Sequence, residues 1–159
     1  MKAVEIMSTE VVTVSPKASL KEAIELISEN NISGLPVVDE ENRVIGIISE
    51  TDIVNYSNSL HVIRLMDTAG WISPYADVSN FFTYKKGYEL LTKTKVERVM
   101  SQKVVTVKAN ATENEIAMLM KKKKINRVPV VGEKGELLGI VSRADLINLL
   151  AEQKKEDKN

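Results

Sequence analysis

The chain repeats itself. Val11-Val12-Thr13-Val14 recurs as Val104-Val105-Thr106-Val107, Pro36-Val37-Val38 as Pro129-Val130-Val131, and the Gly46, Ser49, Asp52 spacing as Gly139, Ser142, Asp145, always 93 residues apart and without a gap. Of the 53 pairs from Ala3/Val96 to Asn55/Asn148, 19 are identical, far more than shared composition gives. The chain is therefore two copies of one unit plus what lies between and after them.

Each copy predicts the same elements. A β-branched strand (Val11–Val14; Val104–Val107) is followed by Ser19-x-x-Glu22 or Thr112-x-x-Glu115, the form of a capping box that opens a helix. Ala23, Ile24 and Ile27 in one helix, and Ile116, Leu119 and Met120 in the other, share a face at helical spacing. Two apolar runs then form a hairpin: Leu35–Val38 and Val44–Ile48 around Asp39-Glu40-Glu41-Asn42, and Val128–Val131 and Leu137–Val141 around Gly132-Glu133-Lys134-Gly135. A closing helix follows from Asp52 and from Asp145. The expected fold class is α/β (α+β), two β-α-β-β-α repeats, residues 1–56 and 95–151. Units this small bury little surface alone, so they are expected to pack together with pseudo-two-fold symmetry and a cleft between equivalent strand–helix junctions.

Residues 57–94 have no counterpart in the repeat. They hold six of the seven aromatic residues (Trp71, Tyr75, Phe81, Phe82, Tyr84, Tyr88), and Tyr56 borders them. Helical stretches are expected near Leu60–Asp67 and Asn80–Leu91, interrupted around Gly70–Pro74. The rings form either a satellite core, a partner surface or a lid. Residues 152–159 are charged without apolar anchors and read as a disordered tail.

Composition removes many chemistries. There is no cysteine and one histidine, His61, so thiolate sites, histidine-cluster metal sites and a Ser-His-Asp triad are not expected. No phosphate loop or calcium loop occurs, and no catalytic cofactor is implied. With 22 basic and 22 acidic residues, no global field draws the chain to nucleic acid. Lys121-Lys122-Lys123-Lys124 reads as a solvated helix end, because four successive helical residues point in all directions. No window approaches the roughly 18 apolar residues of a membrane span, and Glu5 stands where a secretory signal needs an apolar core. A cytoplasmic, non-enzymatic protein is expected.

The remaining chemistry sits at the strand–helix junctions. In Gly-h-h-Ser-x-x-Asp, where h is apolar, the glycine admits another group to the backbone, and a hydroxyl with a carboxylate can grip a ribose diol. The same tetrapeptide is equally a helix cap with an acidic first turn. Thr13 and Ser15, and Thr106 and Lys108, add polar groups at the first strand's end. Ile32-Ser33-Gly34-Leu35-Pro36 and Ile125-Asn126-Arg127-Val128-Pro129 offer an apolar slot suited to a purine. Arg127 suits phosphate oxygens, or else a surface salt bridge.

The Met-x-x-x-x-Val-x-Thr-Val opening (Met7–Val14; Met100–Val107), the Pro-Val-Val strand and the Gly-h-h-Ser-x-x-Asp ending together resemble the CBS domain, and two in tandem resemble a Bateman module. The resemblance implies a regulatory sensor binding an adenosine-containing ligand (AMP, ADP, ATP or S-adenosylmethionine), commonly as a homodimer. It implies ribose contacts from Asp52 and Asp145 beside Ser49 and Ser142, contacts from Thr13 and Thr106, and adenine slots at 32–36 and 125–129. Arg127 matches the family's phosphate-holding cation. The first copy has Ser33-Gly34 in place of Asn126-Arg127, so two unequal sites are expected: a stronger one around Arg127, Ser142, Arg143 and Asp145, and a weaker one around Ser49, Thr51 and Asp52. No effector domain fits beside the two repeats in 159 residues, so the output is expected to act in trans on a partner protein, with energy sensing expected when the ligand is AMP or ATP. The alternative is an adaptor whose aromatic insert binds a partner while the clefts are vestigial.

Overall fold

The computed structural model describes residues 1–59 and 87–156. His61, the expected helix at Leu60–Asp67, the break at Gly70–Pro74 and the rings from Trp71 to Tyr84 lie outside the described residues, as do 157–159. The described part of the second expected insert helix is helical over 87–93.

The architecture is mixed α/β. In chain order the elements are α1 (Ala3–Ile6), α2 (Leu20–Glu29), β1 (Gly34–Val38), β2 (Val44–Ser49), α3 (Glu50–Ser59), α4 (87–93), a 3-10 turn (Val96–Arg98), β3 (Val107–Lys108), α5 (Glu113–Lys123), β4 (Arg127–Val131), β5 (Leu137–Ser142) and α6 (Arg143–Glu156). Both capping boxes form: Ser19 Oγ accepts from the Glu22 N–H at 3.2 Å and the Glu22 carboxylate takes the Ser19 N–H at 2.7 Å, with Thr112 and Glu115 repeating this at 3.3 and 2.7 Å. At their far ends Asn31 (φ 52°) and Lys124 (φ 55°) are left-handed, which stops the helices and aims the next residues into β1 and β4.

Three local expectations change. The first strands are shorter than the Val-Val-Thr-Val runs suggest: Val14 makes a single parallel bridge to Val37, and β3 pairs only Val107 with Val130 and Lys108 with Val131. The closing helices begin at Glu50 and Arg143 rather than at the aspartates, because Ser49 and Ser142 cap them. The last helix continues to Glu156, so 152–156 are helical rather than disordered; Glu, Gln and Lys are good helix formers.

The N-terminal segment of each repeat packs on the other repeat. Lys2 pairs with Thr112 and Ser8 with Ile140; in register 93 residues later, Lys95 pairs with Ser19 and Ser101 with Ile47. Two compact units result, one made of 1–11, 38–45 and 103–159, the other of 12–37 and 46–102. In the first, Ala3 is fully buried with Ile116, Met120, Val128, Val130 and Val141. In the second, Val96 occupies the equivalent place and is fully buried, as are Leu20, Leu35, Val37 and Ile48. The tip of the first hairpin belongs to the first unit, where the Val44 N–H donates to Gly135 O at 3.1 Å and the Leu137 N–H to Asn42 O at 2.9 Å.

Methionine on glycine seals each exchange. A Cβ on Gly139 would lie 2.6 Å from Met7 Sδ and 2.8 Å from Ser8 O; one on Gly46 would lie 2.5 Å from Met100 Sδ and 3.2 Å from Ser101 O. The motif glycine therefore admits the partner segment's thioether and backbone.

Two predictions follow from this packing. Gly139→Ala should destabilise by about 1–3 kcal/mol in denaturant unfolding, and more than Gly46→Ala, because Gly139 faces a backbone oxygen that cannot swing away as a thioether can. Glu22 and Glu115 are held below the ordinary carboxylate value of 4.5, chiefly by the N–H groups of Ser19 and Thr112. Their folded values lie below the unfolded ones, so the stabilisation is complete above pH 4.5 and is lost as pH falls through the lower folded values. The pH series of unfolding midpoints should therefore fall in that window, and less steeply in Glu22→Gln/Glu115→Gln.

Candidate functional site

The site is built where a strand hands over to a helix. In the first repeat the Asp52 carboxylate accepts the Ser49 N–H at 2.8 Å and Ser49 Oγ–H at 2.7 Å, both on Oδ2, while Ser49 Oγ accepts the Asp52 N–H at 3.2 Å. In the second, Asp145 Oδ2 takes the Ser142 N–H and Oγ–H, each at 2.7 Å, and Ser142 Oγ accepts the Asp145 N–H at 3.3 Å. The tetrapeptide is thus a helix cap, the second of the two readings left open above. The cap consumes one carboxylate oxygen and leaves Oδ1 of each aspartate without a bond to any described residue. Both groups are half-buried at fixed orientation. A carboxylate held in this way is pre-organised to accept hydroxyl hydrogens.

A backbone bond brings the preceding loop to the same place. The Glu50 N–H donates to Ser33 O at 3.0 Å and the Arg143 N–H to Asn126 O at 2.8 Å. Beside them, Arg127 at the start of β4 pairs across the sheet with Ser142 at the end of β5. Arg127, Asn126, Ser142, Arg143 and Asp145 therefore share one junction, as do Gly34, Ser33, Ser49, Thr51 and Asp52 in the other repeat.

Other sequence-nominated residues fall elsewhere. Leu35 and Val128 are fully buried, and Pro36 and Pro129 almost so, which makes their side chains the floor beneath each junction. Val14 bridges Val37 and Val107 pairs with Val130, which places Thr13 and Thr106 immediately before the residues that pair. Lys108 is not brought to Arg127. It stands opposite Val131, four residues along β4, or about 13 Å at strand rise. There its ammonium donates to Gly132 O at 2.6 Å and pairs with Glu133 at 3.9 Å. Ser15 Oγ is likewise occupied locally, accepting the Lys17 N–H at 3.2 Å. Ile32 and Ser33 line a groove between α2 and α3, Arg143 lines the matching groove between α5 and α6, and Ile125 packs against the second-repeat core.

The two junctions differ for a steric reason. A Cβ on Gly34 would come within 2.8 Å of Ile48 O and 3.1 Å of Ser49 Cα. A side chain there would have to move β2, so the first repeat as folded favours glycine where the second carries Arg127. The sequence shows the substitution, and the backbone spacing shows that reversing it needs a shift of β2.

Because the aspartates complete the capping boxes begun by Ser49 and Ser142, Asp52→Ala and Asp145→Ala should each cost about 0.5–2 kcal/mol of stability with no ligand present, read by thermal unfolding. Asp145→Asn, which retains an acceptor for the cap, should cost less. Gly34→Arg should destabilise the fold without giving the first junction a working cation.

Comparison with known proteins places this arrangement. Residues 3–59 and 96–152 both match the CBS domain. The chain is 37% identical over 135 residues to the protein MJ1426 of Methanocaldococcus jannaschii, covering 82% of this chain and 80% of that protein. It is 32% identical to inosine-5'-monophosphate dehydrogenase of the same organism, covering 92% of this chain but only 23% of the enzyme. It is 29% identical to the chloroplastic CBS domain-containing protein CBSX1 of Arabidopsis thaliana, covering 92% of this chain and 62% of that protein. Among solved structures, the CBS domain pair of MJ0100, in complex with 5'-methylthioadenosine and S-adenosylmethionine, has TM-score 0.69 and 24% identity, covering 96% of this chain and 98% of that chain. CBSX2 in complex with AMP has TM-score 0.71 and 22% identity, again covering 96% and 98%. Among the described residues no helix is long and apolar enough to cross a membrane. Two matches at a spacing of 93 residues, on a fold shared with solved CBS pairs, make this chain a member of the CBS-domain family, with its domains in tandem.

Proposed function

We propose that the chain is a regulatory module that binds an adenosine-containing ligand, AMP, ADP, ATP or S-adenosylmethionine, and passes the signal in trans to a partner protein, acting as a homodimer. The observation that carries this reading is the doubled Ser–Asp cap. At each junction one carboxylate oxygen is locked by serine and the other is left to accept, which is the acceptor that a ribose diol needs. The adenosyl and AMP complexes of the structurally similar CBS pairs support the ligand class. Dehydrogenase activity is not carried over, since the match covers 23% of that enzyme.

The second junction is the tighter of the two. Arg127 stands opposite Ser142 there and supplies the charge-assisted contact to phosphate that Gly34 denies the first. Loss of such a contact costs on the order of 1.5–3 kcal/mol, or roughly ten- to a hundredfold in affinity.

Nucleotide-free protein titrated with AMP, ADP, ATP, S-adenosylmethionine, NAD and GMP should show a thermal shift of several degrees with an adenosine ligand at about a hundred times its dissociation constant, and none with GMP. Calorimetry should resolve two unequal sites, and Arg127→Ala should bring them close together. Asp145→Asn should weaken the tighter site while leaving the apo protein nearly as stable. No shift with any adenosine ligand would sink the sensor reading.

A further inference from the structure

Around the two Ser–Asp caps the repeats carry opposite charge. Over residues 28–36 and 49–52 the first repeat has Glu29, Glu50 and Asp52 and no cation. Over the equivalent 121–129 and 142–145 the second has the four lysines, Arg127 and Arg143 against Asp145 alone. Each set lies inside one compact unit. In repeat register Asn31 becomes Lys124, Gly34 becomes Arg127 and Glu50 becomes Arg143.

The backbone ties these positions to the caps. Glu50 and Arg143 directly follow the capping serines, about 3.8 Å away between Cα atoms, and their N–H groups bond Ser33 O at 3.0 Å and Asn126 O at 2.8 Å. Arg127 faces Ser142 across the β4–β5 ladder, about 5 Å away. Glu50 lines one space with Asn31 and Ser33, and no other charged residue lines it. Arg143 lines the equivalent space with Lys121 and with Lys124, whose left-handed turn (φ 55°) ends the helix. All these charges stand within or close to a screening length of the caps, about 8 Å at physiological salt, so they set the sign of the field there.

We infer that the two junctions divide the adenosine ligands by charge. The first selects an adenosyl cation, a sulfonium such as S-adenosylmethionine, with Glu50 as the specificity-determining residue; the second selects an anionic adenosine phosphate. This rests on the ligand reading proposed above and assigns its ligand classes to separate sites. The aspartate offers the same acceptor in both repeats, so it grips a ribose without regard to what the 5' carbon carries. That carbon bears phosphate in AMP and a positive sulfur in S-adenosylmethionine, so the discriminating charge falls on the same side of the ribose in both. At the first junction a phosphate meets Glu50 and Asp52 with no cation, and a sulfonium meets attraction. At the second Arg127 and Arg143 reverse both outcomes. The second junction is then the tighter one for phosphates only.

Calorimetry on nucleotide-free Asp145→Asn protein reports the first junction, and on Asp52→Asn protein the second. S-adenosylhomocysteine is the neutral control, since it lacks only the methyl group that makes the sulfur positive. At the first junction S-adenosylmethionine should bind about tenfold or more tighter than S-adenosylhomocysteine or AMP, with an advantage that shrinks as salt is raised. Glu50→Gln in the same background should abolish that advantage. Glu50 is exposed, so circular dichroism and the ligand-free unfolding midpoint should stay nearly unchanged. At the second junction AMP should be the tighter ligand by a similar factor, and Arg143→Glu should narrow the gap. Equal binding of the sulfonium and its neutral control at the first junction, tighter AMP there, a preference that survives Glu50→Gln, or no binding there while the second junction binds would overturn the inference and leave the adenosine reading standing. No adenosine compound binding to either variant or to the unaltered chain would remove both.

Discussion

Everything else in the structure depends on a methionine lying on a glycine. Met7 sits over Gly139 and Met100 over Gly46, with distances that leave no room for a methyl group. Through these contacts, and through Ala3 and Val96 buried one turn before them, the start of each repeat completes the core of the other. Neither sequence repeat is then a self-sufficient folding unit. The compact bodies draw on segments about a hundred residues apart, as in the Lys2–Thr112 pairing. Such non-local closure is slow to form but ties the two repeats together covalently and by packing at once.

The glycines show what the other group is. A glycine at a strand end before Ser-x-x-Asp admits another group to the backbone, and here that group is a thioether from the other repeat. The Ser–Asp cap lies three to six residues onward. There Oδ2 of the aspartate holds the helix start, while Oδ1 makes no bond to a described residue. A cap that is already rigid would cost little entropy to recruit for the binding we propose.

The asymmetry between the junctions has the same origin in backbone spacing. Gly34 and Arg127 occupy equivalent positions, yet β2 approaches Gly34 so closely that no Cβ fits, while Arg127 pairs across from Ser142 in an ordinary ladder. The grooves on the helical faces diverge by side chain alone, Glu50 against Arg143 and Asn31 against Lys124, on helix pairs that match in register.

Much of this was legible in the residues. The repeat, the Ser19 and Thr112 capping boxes, both hairpins and the Ser–Asp junctions follow from local rules, since caps, turns and apolar alternation involve neighbours within a few positions. The helical continuation to Glu156, the brevity of the first strands and the separation of Lys108 from Arg127 were not legible, because they depend on strand register and on what packs nearby. Sequence by itself determined that there are two copies, where the helices behind the Ser19 and Thr112 capping boxes begin and which carboxylates stand at the junctions. Only the tertiary structure decided that the copies exchange their N-terminal segments, that the motif glycines serve methionines, and that a side chain at Gly34 would have to move β2. Those facts arise from contacts between residues far apart in the chain, whose distances no local pattern encodes.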